Sequence, residues 1–179
     1  MQEIADYSLQ FPLLLLRHYR WTHDKAFLAE MLPVAEGIWA YYSQFLNEDG
    51  LLDHIRHMPK VPDDMIPQLV DWPDNLRDGY EYDAGIESVC VPINMHFYGF
   101  LKTLSGLYRI IGDTTRAAEL EAQYIAMENG LLREVYDPET GLFVDLPGSG
   151  HSALHSNALQ LFYGLEPPKG YGPLVDLLA

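Results

Sequence analysis

Leu107-Tyr108-Arg109-Ile110-Ile111-Gly112-Asp113-Thr114-Thr115-Arg116 is the stretch whose reading decides the fold. Upstream of it, Ile93, Phe97, Phe100, Leu101, Leu104, Leu107 and Tyr108 recur at three- and four-residue spacing, the period of a helix with one buried face. Gly112 suits the left-handed position that closes a helix, and Asp113 or Thr114 can accept from the free N–H groups that open the next one. Downstream, Ala117, Leu120, Tyr124 and Leu131 keep the helical period to about residue 132. The stretch therefore predicts a helical hairpin, with a first helix over 84–111 and a second over 116–132. Pro92 either kinks the first helix or marks its true start.

The same unit occurs once before. Tyr19-Arg20 recurs as Tyr108-Arg109 and Asp24 as Asp113, each 89 positions on, while Gly50-Leu51-Leu52 recurs as Gly141-Leu142-Phe143, 91 positions on. Three coincidences in the same order favour an array of helical hairpins over chance. In the earlier copy the helix over 5–20 carries Leu9, Leu13, Leu16 and Tyr19 on neighbouring turns. Trp21-Thr22-His23-Asp24 makes the tight connection, with Thr22 or Asp24 as cap. The partner helix runs to about Phe45, and Phe27, Met31, Val34, Ile38, Tyr42 and Phe45 give it an apolar stripe. Leu51 to Ile55 and Leu142 to Val144 read as short extended arms after turns at Asn47-Glu48-Asp49-Gly50 and Asp137-Pro138-Glu139-Thr140-Gly141. A fifth helix over 152–163 ends at Gly164, and a last helical start covers 173–179. The fold class is all-α: one domain over 1–179, built of hairpins joined by extended arms.

Charge and composition exclude several functions. In a chain of 179 residues, 48% hydrophobic content is enough for a real core, so this is a folded domain. A formal charge of −15, with no offsetting Lys/Arg cluster, repels phosphate backbones and argues against nucleic acid. The longest apolar run, Phe11-Pro12-Leu13-Leu14-Leu15-Leu16, is too short to span a bilayer and lacks the basic start and cleavage site of a signal peptide, so we expect a soluble protein of unassigned compartment. The single cysteine, Cys90, excludes an internal disulfide and reads as a small buried hydrophobe.

Chemistry concentrates in the long segment over 57–83, where Pro59, Pro62, Pro67 and Pro73 disfavour regular structure. Asp71, Trp72, Asp74, Arg77, Asp78, Tyr80, Glu81 and Asp83 combine carboxylates, an indole, a guanidinium and phenols. That mixture suits a sugar: charged groups hold ring hydroxyls, and an aromatic face stacks on the C–H face of the ring.

The order Val70-Asp71-Trp72-Pro73, Arg77-Asp78-Gly79-Tyr80, the Tyr-Arg-Ile-Ile-Gly-Asp hairpin, and His151-Ser152-Ala153-Leu154-His155-Ser156-Asn157-Ala158 with Tyr163-Gly164-Leu165 resembles the catalytic region of bacterial α-L-rhamnosidase-like six-hairpin glycosidases. The resemblance covers nearly the whole chain. It implies an (α/α)6 toroid with a pocket lined by loops at one end, of which this chain is about half. It further implies that Asp71, Trp72, Arg77, Asp78, Tyr80, His151, His155 and Asn157 bind substrate during inverting hydrolysis of a terminal L-rhamnosyl or similar bond. The family's general acid lies in a segment upstream of everything here and its general base in a later hairpin, and neither motif is found. Inverting hydrolysis needs two carboxyl groups about 6.5–9.5 Å apart. The catalytic groups are thus unassigned, with Asp71 and Glu81 as weak candidates.

Two other readings compete. His151 and His155 stand four apart, one helical turn, and with a carboxylate such as Asp71 could ligate zinc, but Ser-Ala-Leu between them lacks the Glu of a zinc-protease helix. We assign no metal and no cofactor. An acidic helical array also suits a non-catalytic scaffold or carbohydrate-binding module. Inner helices without their partners would expose apolar stripes, which points to a homo-oligomer or to marginal stability.

Overall fold

The computed structural model describes residues 5–55 and 88–178. Seven helices and one two-stranded hairpin lie among them: α1 (Ala5–Leu9), α2 (Phe11–Thr22), α3 (Lys25–Ser43), α4 (Val91–Ile111), α5 (Thr114–Glu134), β1 (Tyr136–Asp137), β2 (Leu142–Phe143), α6 (Leu154–Tyr163) and α7 (Gly172–Leu178). α4 packs between α2 and α6, and these three make an inner layer; α3 and α5 pack outside it.

Both hairpin turns form as their residues dictate. Asp24 accepts from Phe27 N–H at 2.9 Å and Asp113 from Arg116 N–H at 2.9 Å, each supplying an acceptor to an otherwise open helix start. Before them, His23 (φ 55°) and Gly112 (φ 98°) take the left-handed conformation that ends α2 and α4. Two residues therefore suffice for each turn: His23-Asp24 and Gly112-Asp113.

Three boundaries differ from expectation. The first helix is interrupted at Gln10, because Pro12 has no N–H to donate to the carbonyl four residues back and so begins a new helix at Phe11. α4 begins at Val91 with Pro92 in its first turn, so Pro92 marks the start and does not kink the helix. α6 begins at Leu154 and not at Ser152.

α4 forms the core. Ile93, Phe97, Phe100, Leu101, Leu104, Leu107 and Tyr108 are all buried, as their spacing implies, and so is Cys90 just before it. Burying each such large side chain is worth about 1.5–3 kcal/mol. In α3 the fully buried row is Leu28, Leu32, Ala35 and Tyr42; of the expected stripe Tyr42 is buried, Phe27, Met31 and Ile38 are partly buried against the core, and Val34 is 47% exposed. α3 touches both α2 and α4, so the centre of its buried arc falls between two neighbours, which periodicity alone does not specify. In α2, Leu15 is buried, and Leu16 and Tyr19 are partly buried against the core.

A polar cluster joins both outer helices to α4. The Arg116 guanidinium donates to both carboxylate oxygens of Glu36, at 3.0 and 2.8 Å, and lies 4.3 Å from the Trp39 ring centroid. Tyr108 Oη donates to Glu36 at 2.7 Å, and Trp39 Nε1 donates to Gln123 at 2.9 Å. α3, α4 and α5 meet there.

The two arms close in related ways. Leu46 bridges Leu52, and β1 pairs antiparallel with β2, Tyr136 opposite Phe143 and Asp137 opposite Leu142. Exposed apolar side chains gather on α2 (Leu14 and Trp21) and on α6 and α7 (Leu161, Phe162 and Val175). No helix among the described residues is long and apolar enough to cross a membrane.

Candidate functional site

α4 and α6 begin at the same end of the inner layer, and the arms converge on those beginnings. Asn94, fourth residue of α4, accepts from Leu52 N–H at 2.7 Å and donates to the carbonyls of Leu52 (3.0 Å) and Cys90 (2.9 Å). Asn157, fourth residue of α6, accepts from Phe143 N–H at 2.8 Å and donates to the carbonyls of Phe143 (2.9 Å) and Ala153 (3.0 Å). Both asparagines are wholly buried. A backbone N–H and C=O at the end of an arm have no ladder partner, and the amide supplies both at once.

Asn157 also accepts from Gln160 Nε2 at 3.5 Å, so both hydrogens and both acceptor directions of its amide are used within the chain. Asn157 therefore holds the arm to the start of α6.

His151 stands just outside α6. Its Nδ1 lies 2.6 Å from Asp145 Oδ2, its side chain is 39% exposed, and the Asp145 carboxylate is completely buried. The other carboxylate oxygen accepts from Ala153 N–H at 2.7 Å and from Ser156 Oγ at 3.1 Å. These bonds explain the late start of α6: Asp145, eight residues upstream of Ala153, satisfies the helix-opening N–H that a local cap would otherwise take. The backbone of Asp145 reaches further, accepting from Val91 N–H at 3.0 Å and donating to the His151 carbonyl at 3.0 Å. One aspartate therefore ties the start of α4, the start of α6 and His151.

His155 is the second residue of α6 and is half-buried. Because His151 precedes the helix, the two imidazoles do not stand one helical turn apart on a common helix, and the spacing argument for a zinc pair fails. Among the described residues no three His, Cys, Asp or Glu side chains converge as a metal site. Asp71, Trp72, Arg77, Asp78, Tyr80 and Glu81 lie outside the described residues.

A cleft of about 440 Å³ opens between α2, the middle of α4 and the C-terminal end of α6, and Arg17, Arg20, Lys102, Phe162 and Tyr163 are part of its lining. Lys102 is committed to structure: its ammonium donates to the carbonyls of Tyr163 and Gly164, both at 3.0 Å, closing the end of α6. In the same region Tyr163 Oη is 2.8 Å from His96 Nδ1, and burial pushes the His96 imidazole down from 6.5 to about 4, so it is neutral at pH 7. Ile55 and Ser88 bound the residues that lie outside the described structure, and Ser88 stands three residues before the start of α4.

Sequence reasoning missed Asn94 and Asp145. For Asn94 a signal exists: an Asn at the fourth helical position follows each Gly-Leu arm. For Asp145 there is none, because a buried carboxylate that caps from a distance looks like any loop aspartate.

No protein-family model matches the chain, and no curated protein matches it in sequence. Among solved structures, the chain is similar to a GH78 family rhamnosidase of Bacillus sp. GL1, with a TM-score of 0.71 and 16% identity over 92% of this chain. The match covers 16% of that enzyme, so the chain spans about a sixth of the length of its structural relative. At that identity the likeness establishes the fold alone: these hairpins are arranged as part of an α/α toroid.

Proposed function

We propose that this chain supplies one wall of the sugar-binding pocket of an α-L-rhamnosidase-like glycoside hydrolase acting by inversion on terminal L-rhamnosyl or similar bonds. In this reading Asp71 and Arg77 hold ring hydroxyls, Trp72 stacks on the ring, and Asp78, Tyr80, His151 and His155 complete the rim. Asn157 serves the site indirectly, by fixing the arm that leads to Asp145. The proton transfers belong to carboxyl groups outside this chain, with Asp71 or Glu81 as the fallback if the chain alone retains hydrolysis.

One observation carries this reading. The Val91 N–H bonds the Asp145 carbonyl, and the Asp145 carboxylate bonds His151. The segment bearing the Asp-Trp and Arg-Asp-Gly-Tyr motifs rejoins the described chain at Ser88, three residues before Val91. The aspartate that holds His151 thus also holds the helix start that follows this segment in the chain, which supports the reading. That end is where a toroid presents its pocket.

The test is hydrolysis of an aryl α-L-rhamnoside by this chain, beside a chain extended at both ends, with rhamnose binding followed by calorimetry. Hydrolysis by the longer chain alone, with weak rhamnose binding by the shorter, is the expected result. A well-folded longer chain that neither binds nor cleaves the rhamnoside overturns the proposal in favour of a non-catalytic scaffold.

A further inference from the structure

We infer that Asp145 is a positioning residue that locks His151 in the Nδ1–H tautomer, so that Nε2 stands at the pocket rim as a hydrogen-bond acceptor for a hydroxyl of the bound sugar. The sugar half of this inference rests on the function proposed above; the tautomer half does not.

The argument begins with what a carboxylate can do. Ionised, it only accepts, and the Asp145 side chain is ringed by donors: Ala153 N–H and Ser156 Oγ on one oxygen and the His151 ring on the other. With an acceptor-only group 2.6 Å away, His151 Nδ1 must carry the hydrogen. Whenever the ring is neutral, its lone pair is therefore at Nε2. No described residue hydrogen-bonds that nitrogen, and the imidazole is part-exposed while its partner is sealed.

The ring is held from its backbone as well. The His151 N–H donates to Ser149 Oγ at 2.9 Å, and the His151 carbonyl accepts from the Asp145 N–H. Asp145 is itself fixed by α4 through Val91 and by α6 through Ala153. A rim histidine attached only to a loop could turn either nitrogen outward; this one is braced by two helices, and orientation of a ligand-contacting imidazole by a buried carboxylate is a general device. Acceptor character has a consequence for recognition. Asp71 and Asp78 also accept, whereas Arg77 only donates, so a neutral Nε2 adds an acceptor that carries no charge, suited to a sugar hydroxyl acting as donor.

Asp145→Asn is the informative change. Its amide oxygen can keep the bonds from Ala153 and Ser156, which turns the NH2 toward His151 Nδ1 and makes that nitrogen an acceptor. The ring proton must then move to Nε2. Long-range nitrogen–proton NMR of the ¹⁵N-histidine-labelled chain, recorded above the histidine titration range, reads this directly. The expected result is Nδ1–H for His151 in the natural chain and Nε2–H in the Asp145→Asn variant. Nε2–H, or a mixture of tautomers, in the natural chain overturns the assignment whether or not the variant folds.

L-Rhamnose titration separates the two halves. Binding that shifts the His151 Nε2 signal, and that weakens about tenfold both in Asp145→Asn and in His151→Phe, supports the acceptor role; tenfold corresponds to about 1.4 kcal/mol, one hydrogen bond. Binding that is equal in all three chains overturns that role. If rhamnose binds none of them, the sugar reading fails while the tautomer result still decides what Asp145 does.

Discussion

Asn94 and Asn157 occupy the same position, the fourth residue of an inner helix, and each grips both backbone groups of a single arm residue, Leu52 in one unit and Phe143 in the other. The third bond of each amide goes to the carbonyl four residues back, Cys90 or Ala153, so arm, amide and helix start form one closed network.

Asn94→Ala and Asn157→Ala should each lower stability by about 2–4 kcal/mol, because each leaves a buried backbone N–H and C=O without partners at about 1–3 kcal/mol apiece. Urea denaturation followed by circular dichroism measures it. A loss below about 0.5 kcal/mol in either variant would show that water replaces the amide at no cost and that the clamp is incidental.

Acid should weaken the fold through His96. Its folded value of about 4 lies below the unfolded 6.5, so the folded state binds the proton less well. The stabilisation is complete above pH 6.5 and is lost as pH falls toward 4, by roughly 3 kcal/mol at most. In His96→Gln, which can still hydrogen-bond Tyr163, the slope of stability against pH between those limits should flatten. An unchanged slope would assign the acid sensitivity to other groups.

Two glycines of α4 should respond to alanine with opposite sign. A Cβ on Gly99 would sit 2.1 Å from Tyr163 Cδ1, so Gly99→Ala must push α6 away, at a cost of about 1–3 kcal/mol. Nothing lies within 4 Å of a Cβ at Gly106, and Gly106→Ala should stabilise by about 0.5–1 kcal/mol through helix entropy. Thermal melts of the pair check both. Equal shifts would mean that the α4–α6 contact is looser than its geometry implies.

The Glu36–Arg116 pair should be worth more than a surface ion pair. Its guanidinium forks onto one carboxylate and covers an indole, both at a partly buried site, so Arg116→Ala should cost about 2 kcal/mol. Arg116→Lys should recover less than half of that, since an ammonium cannot form the fork. A double-mutant cycle with Glu36→Gln isolates the coupling, and a coupling near zero would reduce the cluster to ordinary surface chemistry.

What could be read from the chain follows physical range. Asp24, Asp113, Gly112 and Gly164 act on residues one to four positions away, and each stands where its chemistry implies. The interior face of α4 was equally legible, since a helix buried nearly all round tolerates no ambiguity of phase. Val34 was misjudged because an amphipathic stripe fixes a helix face only when one neighbour covers it, and α3 has two. The start of α6 depended on Asp145, a bond that spans eight residues and leaves no local pattern. The arm bonds of Asn157 left no sequence signal, because the sequence shows an amide and not which groups fill it.

The two-residue turns and the clamped arms sit at opposite ends of the inner helices, and this polarity governs where the chain can change. At the turn end, one residue more or fewer would rotate a whole helix against its neighbour. At the clamped end, the asparagine fixes arm and helix independently of what lies between them: Leu52 and Asn94 are 42 positions apart, Phe143 and Asn157 only 14. Loop closure grows slowly with length, by about 0.6 kcal/mol per doubling. The architecture can thus accept insertions of very different size on one rim while the opposite rim stays constant. A frame built this way can lengthen its loops on a single side without the helices having to be repacked.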